Sequence, residues 1–326
     1  MFLDKYIKEN GVSSDYPVFD NIYKDIMIDT KDLFLAQYKD GDFNAIDIVV
    51  KYLAIENYYG INNYGFDLYN KLQYYRTGSI WNDRFKDLIT SFGCGYNKEY
   101  FLDTDLNYSI HDGAHRLALA LFHGIDEMNI RLFNTNLYRR EYKFDFLLPY
   151  FNVNELSIIK DKLDELLELC RDSYYTILWP PTIKLFDEIK NYIPTIEKGV
   201  KVKYSKIIKL DSNALKKFIY DIYSTDDIKK YKLDIKYSYM INSINNNKTL
   251  SSPYQVSIMK TKIDIPDFRV KPMNGNPQSK ATMRIKTNVR DTYQKYINDY
   301  HYDIMIHSTD NNKQNREVKK IIKKVI

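Results

Sequence analysis

At the start of the chain, apolar residues recur at intervals of three and four positions, which is the spacing of one face of a helix. Residues 44–60 show this spacing most clearly and predict a helix that ends at Gly60. The same spacing predicts an earlier helix, for which Asp29 or Thr30 can serve as the N-cap. Residues 1–65 are therefore expected to form a mainly helical lead-in to the first domain.

The pattern changes within residues 82–133, where helical spacing alternates with short strand-like runs. A helix that starts at Asn82 or Asp83 is followed by two strands, and a turn at Asp105 and Asn107 joins these strands. A second helix and a further strand complete the segment. Helix, hairpin, helix and strand in this order predict an α+β domain.

A domain boundary is expected near residue 150, so that the α+β domain covers residues 66–150. Residues 151–172 have the spacing of one long helix. Helices and strands then alternate, and one of these helices has Ser212 as its expected N-cap. Such alternation is typical of sheets with helical crossovers, so it predicts a second α/β domain over residues 151–326.

The composition of the 326-residue chain narrows the class of protein. Apolar residues make up 44% of the chain, which is ample for buried cores, and the length suits two domains. A net charge of only +5 argues against a dedicated nucleic-acid-binding protein. The two cysteines, Cys94 and Cys170, are too far apart to indicate a zinc site or a disulfide framework. No signal peptide and no run long enough to span a membrane is recognisable, which predicts a cytoplasmic protein without membrane contact.

The strongest candidate for chemistry is the stretch YSIHDGAHRLALALFHG at residues 108–124, where a strand is expected to become a helix. The first backbone N–H groups of a helix lack partners and carry the positive end of its dipole, so they bind anions. Gly113 would let a phosphate approach the backbone, and Arg116 would hold phosphate oxygens with two donors. His115 would donate a further hydrogen bond, and Asp112 would hold a hydroxyl group or Mg²⁺.

A purely structural interpretation of the same stretch is equally open. In that interpretation Asp112 only caps the helix, His115 packs in the core, and Arg116 lies on the surface. The residue chemistry alone does not decide between the two interpretations.

The segment from Asp83 to Phe133 resembles the ParB/sulfiredoxin superfamily. The resemblance rests on DRFKDLITSFGCGY, on YFLDTDLNYSIHDGAHRLALALFHG and on NIRLF, which correspond to a helix, to a hairpin that leads into a helix, and to a strand. It implies a ParB/sulfiredoxin-like domain in which the turn binds nucleotide phosphates. The residues that the motif places at this turn are His111, Gly113, Ala114, His115 and Arg116.

The branches of the superfamily differ at two positions of this motif. Sulfiredoxins carry a catalytic Cys where this chain has Ala114, so sulfiredoxin activity is not implied. Chromosome-partitioning ParB proteins carry Arg where this chain has His115, and a helix-turn-helix domain follows in those proteins, whereas no such pattern is recognisable here. The free-serine kinases carry DGHHR, which is nearest to the DGAHR of this chain.

The kinase branch implies an ATP-dependent phosphotransferase acting on a small hydroxyl compound, such as an amino acid, a sugar or a polyol. ATP, or another nucleoside triphosphate or diphosphate, would bind with Mg²⁺, and Asp112 would be the metal ligand. Asp112 and His115 are the candidate catalytic residues of the motif. The kinases also carry a catalytic Glu upstream of the first core helix. Here Asp83 is the only upstream carboxylate close by, which makes it the candidate for this role in place of Glu.

The alternative function is a ParB-like nucleotide switch or a DNA-associated protein without kinase activity. It predicts a basic face and dimer formation. The modest net charge and the lack of a helix-turn-helix pattern argue against it.

A similar junction of strand and helix occurs near the end of the chain, in YDIMIHSTDNNKQNREV. Ligands of α/β folds bind at the carboxyl ends of strands, which makes His307, Asp310 and Asn311 candidate residues of an acceptor site. Arg269, in a proline-rich loop, would contact an anion at this site. The alternative is that Asp310 or Asn311 caps the last helix. We expect the acceptor site to lie between the domains, with Asp112 and either His307 or Asp310 in one cleft.

Overall fold

The structure, a computed structural model, forms two compact units. Unit 1 comprises the chain up to Cys170 together with Asp267–Pro277, and unit 2 comprises Arg171–Pro266 and Gln278–Ile326. The residues that the structure describes are 22–38, 43–97, 99–134, 147–226, 228–246, 251–271, 275–301 and 303–325.

The described part of unit 1 begins with a strand, and four described helices follow before the motif stretch. Its elements in chain order are β1 (Ile22–Asp29), α1 (Thr30–Gln37), α2 (Phe43–Tyr58), α3 (Gly65–Thr77), α4 (Asn82–Gly93), β2 (Leu102–Thr104), β3 (Ile110–Asp112), α5 (Ala114–Phe122), β4 (Glu127–Phe133) and α6 (Val153–Cys170).

The sheet of unit 1 has four strands in the order β1-β4-β2-β3. The strand β4 pairs antiparallel with β1 and parallel with β2, and β2 pairs antiparallel with β3. Leu102, Ile130 and Leu132 alternate with partly exposed polar residues and are fully buried, so one face of this sheet lies against the helices. The fold is therefore mixed α+β, as the sequence predicts.

The helix α2 is buried nearly all round, which is unusual for a helix of a small domain. It packs against α3, α5 and α6. Its apolar residues in the core are Ala45, Ile46, Ile48, Val49, Val50, Leu53, Ala54 and Ile55. The same helix nevertheless carries the buried charged residues Asp47 and Lys51.

The prediction of a mainly helical lead-in is wrong for residues 22–29, which form β1. Ile26 and Ile28 pair with Ile130 and Met128 of β4, about a hundred residues later in the chain. A strand of this kind is stabilised by its distant partner rather than by local spacing. Residues 1–21 of the lead-in lie outside the described residues.

The division between the units lies at Cys170 and not near residue 150. The helix α6 belongs to unit 1 because Ile159, Leu166 and Leu167 are buried in the same core as α2. The chain later returns to this core with Asp267–Pro277, where Phe268 is completely buried.

Unit 2 alternates helices with strands. Its elements are β5 (Ser173–Leu178), a 3₁₀ helix (Pro180–Leu185), α7 (Phe186–Ile196), β6 (Val200–Leu210), α8 (Ser212–Ser224), α9 (Lys230–Asn245), β7 (Tyr254–Ile263), α10 (Lys280–Tyr293), a 3₁₀ helix (Gln294–Tyr296), β10 (Ile306–Ser308) and α11 (Asn312–Ile322). Between β7 and α10, β8 (Phe268–Val270) and β9 (Pro277–Ser279) form a separate two-stranded sheet.

The prediction of an α/β domain for the second half is wrong in its sheet topology. The strands have the order β10-β5-β7-β6, and every described pair is antiparallel. Two helices, rather than one, separate β6 from β7, so the chain re-enters the sheet from the end at which it left. Unit 2 is therefore also α+β.

Within the part of the chain that the structure describes, no helix combines the length and the apolar character needed to span a bilayer.

Candidate functional site

The predicted junction of strand and helix is present in unit 1. The strand β3 ends at Asp112, and α5 begins after a single residue, Gly113, which is its N-cap. Gly113 has a φ of 104°, in the left-handed region, and a Cβ atom here would lie 2.6 Å from Cγ of Leu102 on β2. Both the backbone conformation and the close approach to β2 therefore require glycine.

No side chain caps α5. The interpretation in which Asp112 caps this helix is wrong, because the N-cap is Gly113, which has no side chain. Among the described residues, the backbone N–H groups of Ala114, His115 and Arg116 have no acceptor. These groups carry the positive end of the helix dipole, so the turn has the electrostatic properties of an anion site.

Arg116 lies in the first turn of α5 and is partly buried. Its Nη1 donates to the carbonyl oxygen of Phe101 at 3.1 Å, and its guanidinium lies 5.1 Å from the ring centroid of Tyr100. These contacts hold the guanidinium beside the start of β2. Arginine has five N–H donors, so the contact with Phe101 leaves others for a ligand.

His115 packs behind the turn, as the structural interpretation expects. Its Nε2 lies 2.9 Å from the hydroxyl oxygen of Tyr69, and its ring packs edge-on against Phe85 with the centroids 4.6 Å apart. Burial and the positive charge of Lys51 lower the pKa of His115 well below its usual range, and Arg76 and Arg84 add to this effect. His115 is therefore neutral at pH 7, and its contact with a ligand stays a prediction.

The sequence analysis missed two buried charges behind the turn, Asp47 and Lys51. Lys51 and Asp47, one helical turn apart on α2, form an ion pair, and Nη1 of Arg76 lies 2.6 Å from Oδ1 of Asp47. Burial lowers the pKa of Lys51 to about 8, although Asp47 opposes this change. Two cations thus contact the same carboxylate, and all three side chains lie close enough to His115 to influence its pKa.

His111 faces the preceding turn rather than the start of α5. Its Nε2 lies 3.5 Å from Oδ2 of Asp105, whose Oδ1 accepts hydrogen bonds from the backbone N–H groups of Asn107 and Ser109. Burial alone would raise the pKa of Asp105, but these hydrogen bonds and His111 lower it. The Asp105 turn that the sequence predicts is confirmed, and in this structure His111 contacts that turn.

A row of charged residues crosses the sheet beside the turn. Asp25, Arg131, Asp103 and Asp112 are register partners on β1, β4, β2 and β3, respectively. Burial raises the pKa of Asp103, Arg131 opposes this increase, and Asp112 adds to it. The structure therefore brings Asp112 together with a second carboxylate that sequence reasoning did not select.

Asp83 lies at the start of α4 and is exposed. The predicted caps Asn82 and Asp83 are both wrong, because the N-cap is Trp81 and no side chain caps the helix. Asp83 lines an open surface depression together with Ile80, Trp81, Asn82 and Arg84. Its predicted role as the catalytic carboxylate stays a prediction.

Among the described residues, no group of three or more His, Cys, Asp or Glu side chains is arranged to hold a metal ion. Mg²⁺ bound to nucleotide phosphates commonly uses only one or two protein carboxylates. Asp112 as a metal ligand therefore stays a prediction.

The candidate residues of the second half do not all belong to one unit. His307, Asp310 and Asn311 lie in unit 2, but Arg269 is an exposed residue of β8 in unit 1. Asn311 caps α11, since its Oδ1 accepts from the backbone N–H of Gln314 at 2.8 Å. The alternative cap, Asp310, instead forms a buried ion pair with other residues of unit 2, as described below.

The resemblance to the ParB/sulfiredoxin superfamily rests on the motif from Asp83 to Phe133 and stays a prediction. Asp112 and His307 belong to different units, and their expected common cleft also stays a prediction. Comparison of the chain with protein-family models, with curated proteins and with solved structures finds no match.

Proposed function

We propose that this protein is a nucleotide-dependent phosphotransferase, with ATP as the expected phosphate donor, and that the turn before α5 holds the nucleotide phosphates. One observation carries the proposal: α5 starts at Gly113 without a side-chain cap, and the cations Lys51 and Arg76 lie near His115 in its first turn. An uncapped helix start with cations nearby favours a bound anion.

The charge balance of the buried group supports an anionic ligand. A buried charge is costly unless an opposite charge or hydrogen bonds compensate for it. Asp47 is the ion-pair partner of Lys51, which is almost completely buried, and it also contacts Arg76. A phosphate at the start of α5 would add a further negative charge near these two cations.

The carboxylates of the sheet supply the other requirement of phosphoryl transfer. That reaction needs a metal that binds the phosphates and a carboxylate that orients the acceptor hydroxyl. Asp112 directly precedes the turn, so we assign Mg²⁺ to it. Asp103 is its register partner, and the increase in the pKa of Asp103 makes it the better proton acceptor of the two. The acceptor would be a small hydroxyl compound.

The test is calorimetric titration of the protein with ATP and Mg²⁺, followed by a phosphorylation screen against pooled hydroxyl metabolites. Arg116→Ala should weaken ATP binding by roughly 10- to 100-fold, since a hydrogen bond to a charged group contributes about 1.5–3 kcal/mol. Lys160→Ala is the matched control, because Lys160 is an exposed cation on α6 of the same unit.

The outcomes separate the proposal from its alternative. Unchanged ATP affinity in Arg116→Ala would exclude the turn as the phosphate site. ATP binding without transfer to any acceptor would favour the nucleotide switch, and an Asp103→Asn variant that retains full transfer activity would exclude Asp103 as the proton acceptor.

A further inference from the structure

Unit 2 contains a group of buried and partly buried charged side chains next to β10, outside the site proposed above. We name it the β10 cluster, and its members are Asp226, Lys236, Lys286, Arg290, His307 and Asp310. Only His307 and Asp310 were visible as candidates in the sequence.

Two cations of the β10 cluster cover the open edge of the sheet. Since β10 pairs only with β5, the carbonyl groups on its other side have no strand partner. Nη2 of Arg290 donates to the carbonyl of Ile306 at 3.3 Å, and Nζ of Lys286 donates to that of Ser308 at 3.4 Å. Lys286 also lies 2.8 Å from Oδ1 of Asp310. These two cations therefore have a structural role.

Lys236 has no such role. Its ammonium lies 4.4 Å from the ring centroid of Tyr223, and among the described residues it has no ion-pair or hydrogen-bond acceptor. Burial and the positive charge of Arg290 lower the pKa of Lys236 to about 8. Three N–H donors are thus held beside the cluster without a partner in this part of the chain.

His307 supplies an acceptor without a partner on the same aromatic ring. Its imidazole is 97% buried and packs edge-on against Tyr223, with the centroids 5.1 Å apart. Nδ1 lies 3.4 Å from Oδ2 of Asp226, whereas Nε2 is buried and has no hydrogen-bond partner among the described residues. The negative charge of Asp226 favours a proton on Nδ1 of His307, and in that tautomer the lone pair of Nε2 accepts a hydrogen bond.

We propose that the β10 cluster binds a small hydroxyl compound that carries a negatively charged group. Lys236 holds the charged group, and Nε2 of His307 accepts a hydrogen bond from the hydroxyl group. One ligand of this class contacts the partly buried ammonium of Lys236 and also satisfies the buried Nε2 of His307, an acceptor that native proteins rarely leave without a partner. The inference concerns unit 2 alone and does not rest on the proposed nucleotide site.

The test compares glycerol, glycerate and glycerol 3-phosphate as probes in calorimetric titrations of the full chain. The two anions should bind, with a Kd on the order of 1 mM for molecules of this size, and glycerol should bind at least about tenfold more weakly. The anion that binds more tightly shows whether the site prefers a carboxylate or a phosphate group.

Two substitutions locate the site. Lys236→Met keeps the length of the side chain on Tyr223 and should weaken anion binding by about tenfold or more. Lys232→Met, an exposed lysine one turn earlier on α9, should leave binding unchanged. Arg116→Ala in unit 1 should also leave it unchanged, which separates this site from the nucleotide site.

His307 is too deeply buried to be tested safely by substitution, so its role is read in the intact protein. In ¹⁵N-labelled protein, saturating glycerate should shift the Nε2 resonance of His307 towards that of a hydrogen-bonded acceptor. The proposal is overturned if neither anion binds at about 10 mM, if Lys236→Met binds as the wild type does, or if Nε2 does not respond.

Discussion

Lys51 is the residue whose surroundings differ most from those in the unfolded chain. Its ammonium is almost completely buried on α2, where Asp47 is its direct partner and Arg76 lies nearby. In the folded state its pKa is about 8, against an ordinary value of 10.5. Between these two values the unfolded chain holds one proton more on this residue, so the free energy of unfolding increases with pH.

This shift predicts a pH-dependent difference between the wild type and Lys51→Met. From pH 8 to pH 9.5 the wild type should gain about 1–2 kcal/mol of stability relative to the variant, since one proton is worth about 1.4 kcal/mol per pH unit. Urea unfolding at several pH values measures the difference. Lys160→Met, at an exposed position, should show no such trend, and a constant difference for Lys51→Met would contradict the shifted pKa.

The position of Gly113 leads to a second prediction for a single residue. Gly113→Ala should destabilise unit 1 by roughly 2–5 kcal/mol, because both the left-handed backbone and the overlap with Leu102 are unfavourable for a side chain. Gly124→Ala is the matched control: its φ is 66°, but nothing lies within 4 Å of an added Cβ. That variant should lose only about 1 kcal/mol. Equal losses in urea unfolding would show that the close approach to β2 is unimportant.

The motif residues of the site could be found from the sequence, but the residues behind them could not. Gly113 and Arg116 stand at a recognisable junction of strand and helix. Asp47 and Lys51 stand in an apolar run whose full burial depends on the tertiary packing of α2. The sequence does contain one indication of this ion pair, because Asp47 and Lys51 carry opposite charges four positions apart. The same spacing on an exposed helix would indicate only a surface ion pair.

At the level of single elements, helix caps are the features that sequence reasoning misplaced by one residue. Asp211, not Ser212, caps α8, because its Oδ1 accepts from the backbone N–H of Ala214 at 2.8 Å. Trp81 similarly precedes α4 in place of a polar cap. Adjacent residues that can both act as caps cannot be separated without the backbone geometry.

The cap of α8 gives a third prediction. Asp211→Ala should lower the free energy of unfolding by about 1 kcal/mol, the usual loss for an N-cap. Ser212→Ala, one residue later, should change it by less than about 0.5 kcal/mol, as expected for an exposed site without such a feature. Both residues are exposed, so the pair differs chiefly in the capping hydrogen bond. If denaturant unfolding shows a larger loss of stability for Ser212→Ala than for Asp211→Ala, then Ser212 is the cap, as the sequence predicts.

Most helices and the longer strands could be predicted because their spacing and end signals agree. The helix that was expected to stop at Gly60 ends two residues before this glycine, which has a positive φ. Gly78 and Gly124 follow the ends of α3 and α5 in the same way. The strand β1 was missed because its partner β4 is distant in the sequence. The antiparallel sheet of unit 2 was missed because local spacing does not determine strand direction.

At the scale of the whole molecule, the division into units depends on contacts that local sequence patterns do not predict. Phe268 packs in the core of unit 1, and the hydroxyl of Tyr108 donates to the carbonyl of Gly275 at 2.5 Å. Both Phe268 and Gly275 come after residues 171–266, which make up most of unit 2. A proline-rich segment with one glycine predicts a loop, and nothing in the segment indicates which core it joins.

This division predicts different effects for two otherwise similar substitutions. Phe268→Ala and Phe218→Ala each remove a buried ring, which typically costs 3–5 kcal/mol. Hydrogen exchange followed by mass spectrometry should show faster exchange in α2 and β4 for Phe268→Ala, and in α8 and β7 for Phe218→Ala. If Phe268→Ala instead gives faster exchange in unit 2, then Phe268 does not belong to the core of unit 1.

The return of Asp267–Pro277 to unit 1 also affects the order of events during synthesis. The ribosome makes all of residues 171–266 between the last helix of unit 1 and the residue that completes its core. At about 5–20 residues per second, this interval lasts roughly 5–20 s. Throughout it the nascent unit 1 lacks Phe268, so newly made chains expose an incomplete apolar core that chaperones can bind until residue 277 has emerged.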